Sequence, residues 1–359
     1  MAHLRIRTLL DWGSVTLPLI VVHSLLFLLF EDGRIVEYVK LGDGKDYIGQ
    51  AQSILHGTIS SPHVILYPIF IRILAFLFPY ANSALLISSC AHILSAIPMY
   101  EILKAKSISY PKVYTFVLTT FPPTLVLYSS LALSDSLLFL FCVLFFYFLV
   151  RQKESGLISS GIFAAASHFL GLLLFFPIVY FYLKNRMKRV YRAFAVWGPI
   201  VLLSLYHQYA GQGLAFYWVN NEQYSQKHFG IGIFSIPFEN LLKGLRGIPT
   251  PYPAPSAPEL ILVIGLFIFY ALAGAISWRV GNKLEISFAL PYLIFLAFYQ
   301  NFFFIPRLIP LCFPLLFAPN HLLAKRPIAI LSGVVAIVGI MYAGYYMSAL
   351  IHVSATLGS

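Results

Sequence analysis

Apolar runs long enough to cross a bilayer recur along the whole of this 359-residue chain, and no other feature constrains its fold as tightly. A spanning helix needs about 20 apolar residues, and hydrocarbon offers no partner for an unbonded backbone N–H or C=O. Such runs fall near Trp12–Phe30, Ala81–Leu103, Val113–Leu131, Leu133–Val150, Val190–Ala210, Glu259–Trp278, Leu284–Phe302 and Pro327–Leu350. Arg307–Pro319 is short and interrupted by Pro310 and Pro314, and is expected to complete a span with its flanking residues. The pattern predicts an all-α fold: a polytopic transmembrane helical bundle of about 10–11 hydrophobic segments, forming a single domain over residues 1–359. No series of ten-residue alternating strands indicates a barrel. Charged residues make up 10% of the chain, whereas a soluble domain carries about 25%. Too few remain to cover a water-facing surface.

The formal net charge of +11 does not indicate a nucleic-acid partner, because the basic residues sit in short clusters between apolar runs. That is the positive-inside pattern, and it suits an anionic leaflet. A cytoplasmic N-terminus places there Arg5/Arg7, Lys104/Lys106/Lys112, Arg151/Lys153, Lys184/Arg186/Lys188/Arg189/Arg192, Arg279/Lys283 and Lys325/Arg326, which is 16 of the 24 lysines and arginines. Leu157–Leu183 then has basic clusters at both ends, so it is expected to enter and leave on the cytoplasmic side as two half-length helices. Its break falls at Ser167-His168 and Gly171. The basic stretch Met1–Trp12 precedes an apolar run without a small-residue cleavage site, and is expected as the start of an uncleaved first helix. Cys90, Cys142 and Cys312 all lie in apolar runs, as small packing residues with no disulfide framework.

This orientation collects the polar chemistry on the outer face. The first outer loop occupies residues 31–80, with Val64–Pro79 lying at the interface, and the second occupies residues 211–258. Within the latter, the proline-rich stretch Pro249–Pro258 is a stiff extended linker. In the first loop, Gly42 and Gly44 let the backbone turn and hold Asp43 between them at the membrane surface. A short amphipathic helix is predicted from near Asp46, with Tyr47, Ala51, Ile54 and Leu55 on its apolar face. Either Asp43 or Asp46 serves as a helix cap in the simplest structural reading. Asp135 stands beside an apolar turn, flanked by Ser134 and Ser136. It orients an acceptor, or else caps the next helix. His168 lies mid-hairpin at membrane depth, either meeting a phosphate or filling the core.

Asp43-x-x-x-Tyr47, then a small-residue helix ending in His56-Gly57, then Leu66-Tyr67-Pro68, resembles the first outer loop of the multi-spanning GT-C-type glycosyltransferases that use a polyprenyl-phosphate sugar. It is most similar to the second mannosyltransferase of GPI-anchor synthesis and its prokaryotic relatives. Leu66-Tyr67-Pro68 through Arg72, Phe121-Pro122-Pro123 through Tyr128-Ser129-Ser130 to Ser134-Asp135-Ser136-Leu137, and the outer stretch from Gly213 to Leu245 extend the resemblance to about residue 250. Gly42 stands where that family carries tryptophan, Asp135 where it carries glutamate, His168 where it carries arginine, and Leu308 where it carries tyrosine.

The resemblance implies transfer of one sugar, mannose in the first instance, from a polyprenyl-phosphate donor to a glycan or glycolipid acceptor. The reaction it implies is inverting and independent of metal. Phosphate is already a good leaving group, so one carboxylate base and cations for the departing phosphate suffice. Asp43, at the family's loop aspartate, is the catalytic candidate. Arg307, with Pro310, matches the family's late Arg-Tyr-x-x-Pro run and is the foremost phosphate-binding candidate, joined by His168 and Arg72. An ionisable residue at membrane depth is functional by default, although Arg307 also fits a snorkelling interfacial arginine. Asp46 and Asp135 are secondary or acceptor-orienting candidates. No cofactor is expected, and the spacing of His56, His63 and His228 suits no metal site. Two alternatives stay open: a transporter or flippase of lipid-linked saccharides, which would distribute polar residues through the spans, and a non-catalytic subunit of a membrane complex. The absence of an N-x-[ST] sequon, the short length and the lack of a retrieval signal favour a prokaryotic plasma membrane over the endoplasmic reticulum.

Overall fold

The computed structural model describes residues 2–29, 36, 39, 42–54, 65–185, 257–298, 304–317 and 325–357. Within them every regular element is helical. Three helices are long and apolar enough to cross a membrane: Thr8–Leu28, Tyr80–Ala105 and Ile261–Arg279. The expected span Val190–Ala210 and the second outer loop, save its last two residues, lie outside the described residues. The chain packs as two compact units, one formed by Met1–Gly171 with Asn320–Ser359 and the other by Leu172–Pro319.

The first unit opens with α1 (Ala2–Leu29), followed by α2 (Gly42–Ser53), α3 (Leu66–Leu74) and α4 (Tyr80–Ala105). Then come α5 (Pro111–Thr120), α6 (Thr124–Ser129), α7 (Asp135–Val150) and α8 (Glu154–Ser167). The helix α13 (Arg326–Leu357) belongs to this unit and packs on α5 and α6. Its approach is close: a Cβ on Gly339 would lie 2.4 Å from Pro123 Cγ.

Two sequence expectations are corrected here. The predicted span Val113–Leu131 is not one helix, because α5 stops at Thr120 and α6 restarts at Thr124. Pro122 and Pro123 carry no N–H, so the helical bonds to the carbonyls of Leu118 and Thr119 cannot form. Phe121, which precedes the pair, is driven to extended backbone, φ −110° and ψ 132°. The helix of the first outer loop begins at Gly42 rather than near Asp46. Gly44 is therefore not a turn residue; it admits a close backbone approach, since a Cβ there would lie 2.1 Å from the Val39 carbonyl oxygen.

The Thr119 carbonyl released by Pro123 is bonded from another helix. His92 on α4 donates to it from Nε2 at 2.6 Å. That leaves His92 Nδ1 as an acceptor, and it takes the Nε2–H of His23 on α1 at 2.9 Å. His23 Nδ1 accepts in turn from the Ser130 hydroxyl at 3.2 Å. Both imidazoles are fully enclosed. One directional chain thus ties α1, α4, α5 and the end of α6. It stops at a carbonyl and carries no proton onward.

Polar contacts also fasten one end of this unit. Lys112 pairs with Asp11 at 2.9 Å, Arg151 with Glu101 at 3.5 Å, and Trp12 Nε1–H donates to Glu101 at 3.1 Å. These bind the start of α1 to the far ends of α4 and α7. α7 and α8 form an antiparallel hairpin around Arg151-Gln152-Lys153, with Gln152 in the left-handed region at φ 54°. The sixteen residues of α7 rise ~24 Å and the fourteen of α8 return ~21 Å. The residue after α8 therefore comes back to the level where α7 began.

The second unit holds α9 (Phe175–Asn185), α10 (Ala257–Arg279), α11 (Lys283–Phe298), α12 (Phe304–Leu308) and the 3-10 segment Ile309–Phe317. Phe288, Tyr292, Phe313 and Phe317 fill its core, with Phe288 and Phe313 edge to face at 5.7 Å. Pro310 and Pro314 hold Ile309–Phe317 out of α-geometry. The expected break in Leu157–Leu183 falls at His168, φ −160° and ψ 142°. Beyond it the chain leaves the first unit, and α9 packs on α11.

Candidate functional site

α2 and the Ser130–Ser134 turn lie at the end of the first unit opposite to the Asp11–Lys112 and Glu101–Arg151 pairs. α2 supplies Asp43 in its first turn. A carboxylate there faces unbonded backbone amides and the positive end of the helix dipole, a sound local reason for the helix to start where it does. Asp46 lies in the second turn, beyond the capping positions of α2, and is half-buried. The face predicted as apolar is the docking face: Tyr47 is 3% exposed and Ala51 is wholly buried, with Gln50 alongside them. Leu55 lies outside the described residues.

Tyr47 sets where α2 docks. Its hydroxyl shares a 2.7 Å hydrogen bond with Ser134 Oγ, the residue before Asp135. Its ring meets Tyr67 of α3 edge to face at 5.0 Å, and the Tyr67 hydroxyl donates to the Ala84 carbonyl of α4 at 2.8 Å. The Ser130–Ser134 turn is held from below. Ser88 of α4 donates to the Leu133 carbonyl and contacts Ser136 Oγ, both at 3.1 Å, while Ala132 takes a left-handed φ of 56°. Asp135, 4% exposed, then opens α7.

His168 follows the last residue of α8 and so returns to the start of α7. Its Nδ1 accepts the Leu170 backbone N–H at 3.2 Å, which puts the ring proton on Nε2. Nε2 stands 4.0 Å from Asp135 Oδ1, and the imidazole is buried, stacked on Phe169 at 4.6 Å. The separation is an electrostatic distance rather than a hydrogen bond. Gly171 makes the return possible: a Cβ on it would lie 2.2 Å from the Ala164 carbonyl carbon.

The structure thus brings Asp43, Asp135 and His168 to one end of the first unit. Arg72 is turned to Tyr80, the first residue of α4. It lies five positions after Tyr67 on α3, about 140° round the helix, and its guanidinium bonds the Tyr80 hydroxyl and lies over Phe76 at 5.7 Å. Arg307 belongs to the second unit, in α12, and at 9% exposure it is enclosed by protein rather than extended along a surface. In that unit a groove of about 690 Å³ is lined by Leu173, Phe176, Leu290, Ile294 and Phe298 among other apolar side chains. Among the described residues no group of three or more histidine, cysteine, aspartate or glutamate side chains has metal-holding geometry.

The sequence reading carried Tyr47 and Tyr67 as motif residues without a role, and singled out neither Ser88 nor His23 and His92 as a pair. A signal for Tyr47 existed. It stands four positions after Asp43, one helical turn, so a helix carrying one must present the other on the same face. Comparison with family models, with characterised proteins and with solved structures finds no match.

Proposed function

We propose that this chain is a multi-pass membrane glycosyltransferase. It moves one sugar, mannose in the first instance, from a polyprenyl-phosphate donor to a hydroxyl of a glycan or glycolipid at the outer face, with inversion. Asp43 is the general base. The reading is carried by the docking of α2 on the Ser134–Asp135 turn, which gathers Asp43 and the Asp135–His168 pair at the end of the first unit remote from Lys104, Lys112 and Arg151. With the positive-inside rule, a lysine- and arginine-rich cytoplasmic end makes the opposite end the outer one.

Asp135 and His168 act as one unit in this scheme. A carboxylate 4.0 Å from the imidazole would repel an anionic phosphate at the same spot, so the pair suits a sugar hydroxyl better than the donor phosphate. The carboxylate accepts from such a hydroxyl and the Nε2–H donates to it. Arg307 of the second unit is the phosphate candidate by its own chemistry, since its fixed charge and planar donor fork match phosphate oxygens. The apolar groove of the second unit supports a lipid-borne donor.

A transporter reading draws on the buried polar residues of α4, namely Ser83, Ser88, Ser89, His92 and Ser95. Each of these bonds a neighbouring backbone carbonyl, at Phe78, Leu133, Ser129, Thr119 and His92 respectively. These bonds are the kind that pack helices together, as small polar residues in membrane bundles do. The deciding experiment incubates the purified protein in nanodiscs with polyprenyl-phosphate mannose, glucose and arabinose and a pool of glycolipid acceptors. Transfer from one donor supports the reading. No transfer from any of them, with saccharide-lipid movement across vesicles, establishes the transporter instead.

A further inference from the structure

We propose that Tyr47 is a positioning residue: it holds α2 on the Ser134–Asp135 turn and so fixes Asp43 over the site. The inference deepens the glycosyl-transfer reading and rests on it for its catalytic half.

Tyr47 is the largest side chain that α2 buries. The helix is twelve residues long, and its sequence, GDGKDYIGQAQS, offers Tyr47, Ile48 and Ala51 as its only apolar side chains beyond glycine. A helix this short is marginal in isolation, so its order comes from docking. Tyr47 supplies both kinds of docking contact, the buried ring against Tyr67 and the 2.7 Å bond to Ser134. The Tyr67 hydroxyl is bonded to α4, so the stack rests on a helix of 26 residues rather than on another loop. Asp43 lies one turn before Tyr47, about 6 Å along the axis and on the same side. Any tilt or slide of α2 about its Tyr47 contact therefore moves the carboxylate. Displacement of a catalytic group by about 1 Å costs up to about 100-fold in rate. The hydroxyl of Tyr47 is then not interchangeable with a hydrogen, although the ring alone would fill the core equally well.

Tyr47→Phe keeps the ring and removes the bond. Hydrogen exchange of the α2 amides, measured in nanodiscs, is expected to quicken roughly 2- to 10-fold, the effect of one lost intramolecular hydrogen bond, with exchange in α4 and α7 unchanged. Ser134→Ala removes the same bond from the other side and is expected to give the same change. The two together are expected to do no more than either alone. With polyprenyl-phosphate mannose, kcat falls at least tenfold while donor KM holds. In an Asp43→Asn background, Tyr47→Phe lowers kcat little further, because the group it positions is already disabled. Unchanged α2 exchange in both variants overturns the proposal whatever the activity. Losses of kcat from Tyr47→Phe and Asp43→Asn that simply multiply overturn it too, leaving Tyr47 a structural residue. A wild-type chain that transfers no sugar removes the glycosyl-transfer reading and the catalytic half with it, while the exchange result still decides whether Tyr47 holds α2.

Discussion

Asp43 and Asp46 stand three positions apart on α2, and only one of them occupies the first turn. Both changes to asparagine remove one negative charge from the same short helix and keep the shape of the side chain. Asp43→Asn also removes the proton acceptor, and general-base catalysis contributes about 10²- to 10⁴-fold, so turnover is expected to fall by that order with donor binding nearly intact. Asp46→Asn is expected to cost less than threefold, since Asp46 lies in the second turn of α2, beyond its capping positions, and is not the base in this mechanism. Steady-state kinetics on the two purified variants make the comparison. Equal losses would show that the field of the loop matters and not one base, and a fully active Asp43→Asn enzyme would end the mechanism.

Among the elements, α2 and the α5–α6 break each carry a close contact that a single substitution tests. Gly44 has no room for a side chain, whereas Gly49 on the same helix has nothing within 4 Å of its would-be Cβ. Gly44→Ala is therefore expected to weaken α2 docking by about 1–3 kcal/mol, and Gly49→Ala to strengthen the helix by about 0.5–1 kcal/mol. Amide exchange across α2 reads both signs in one experiment. At the break, His92 satisfies a carbonyl that Pro123 cannot, and it also accepts from His23. His92→Phe leaves both groups buried without those bonds, at about 1–3 kcal/mol each. The apparent Tm of that variant is expected to fall by several degrees more than that of Ser95→Ala, which gives up only a bond within its own helix. An equal Tm for the two would mean that water or a rearranged neighbour replaces His92.

At the scale of the whole molecule, the topology is testable with cysteines in a background lacking Cys90, Cys142 and Cys312. Gly44 is unsuitable as a labelling site because any Cβ there meets the Val39 carbonyl, but Lys45 beside it is exposed. Lys45→Cys is expected to react with an impermeant thiol reagent from outside, and Ser155→Cys, at the exposed start of α8, only after permeabilisation. Reversed labelling would invert the molecule and put Asp43 on the cytoplasmic face. The sequence alone determined the helical class, the long apolar segments of α1, α4 and α10, the docking face of α2 and the break at His168. Each of these follows from local hydrophobic pattern and chain stiffness, which act over a few residues. Tertiary structure alone decided that Asp135 and His168 lie 4.0 Å apart, because that depends on α7 and α8 having nearly equal rise and a reversing turn between them. It also decided the partnership of His23, His92 and Thr119, since the carbonyl freed by Pro123 could have been met from any helix that packing brought beside it. Where helix α2 begins is by contrast a local matter that the glycines obscured: Gly42 and Gly44 read as a turn, whereas Asp43 suits a first helical turn and Gly44 leaves room for the Val39 carbonyl five residues earlier.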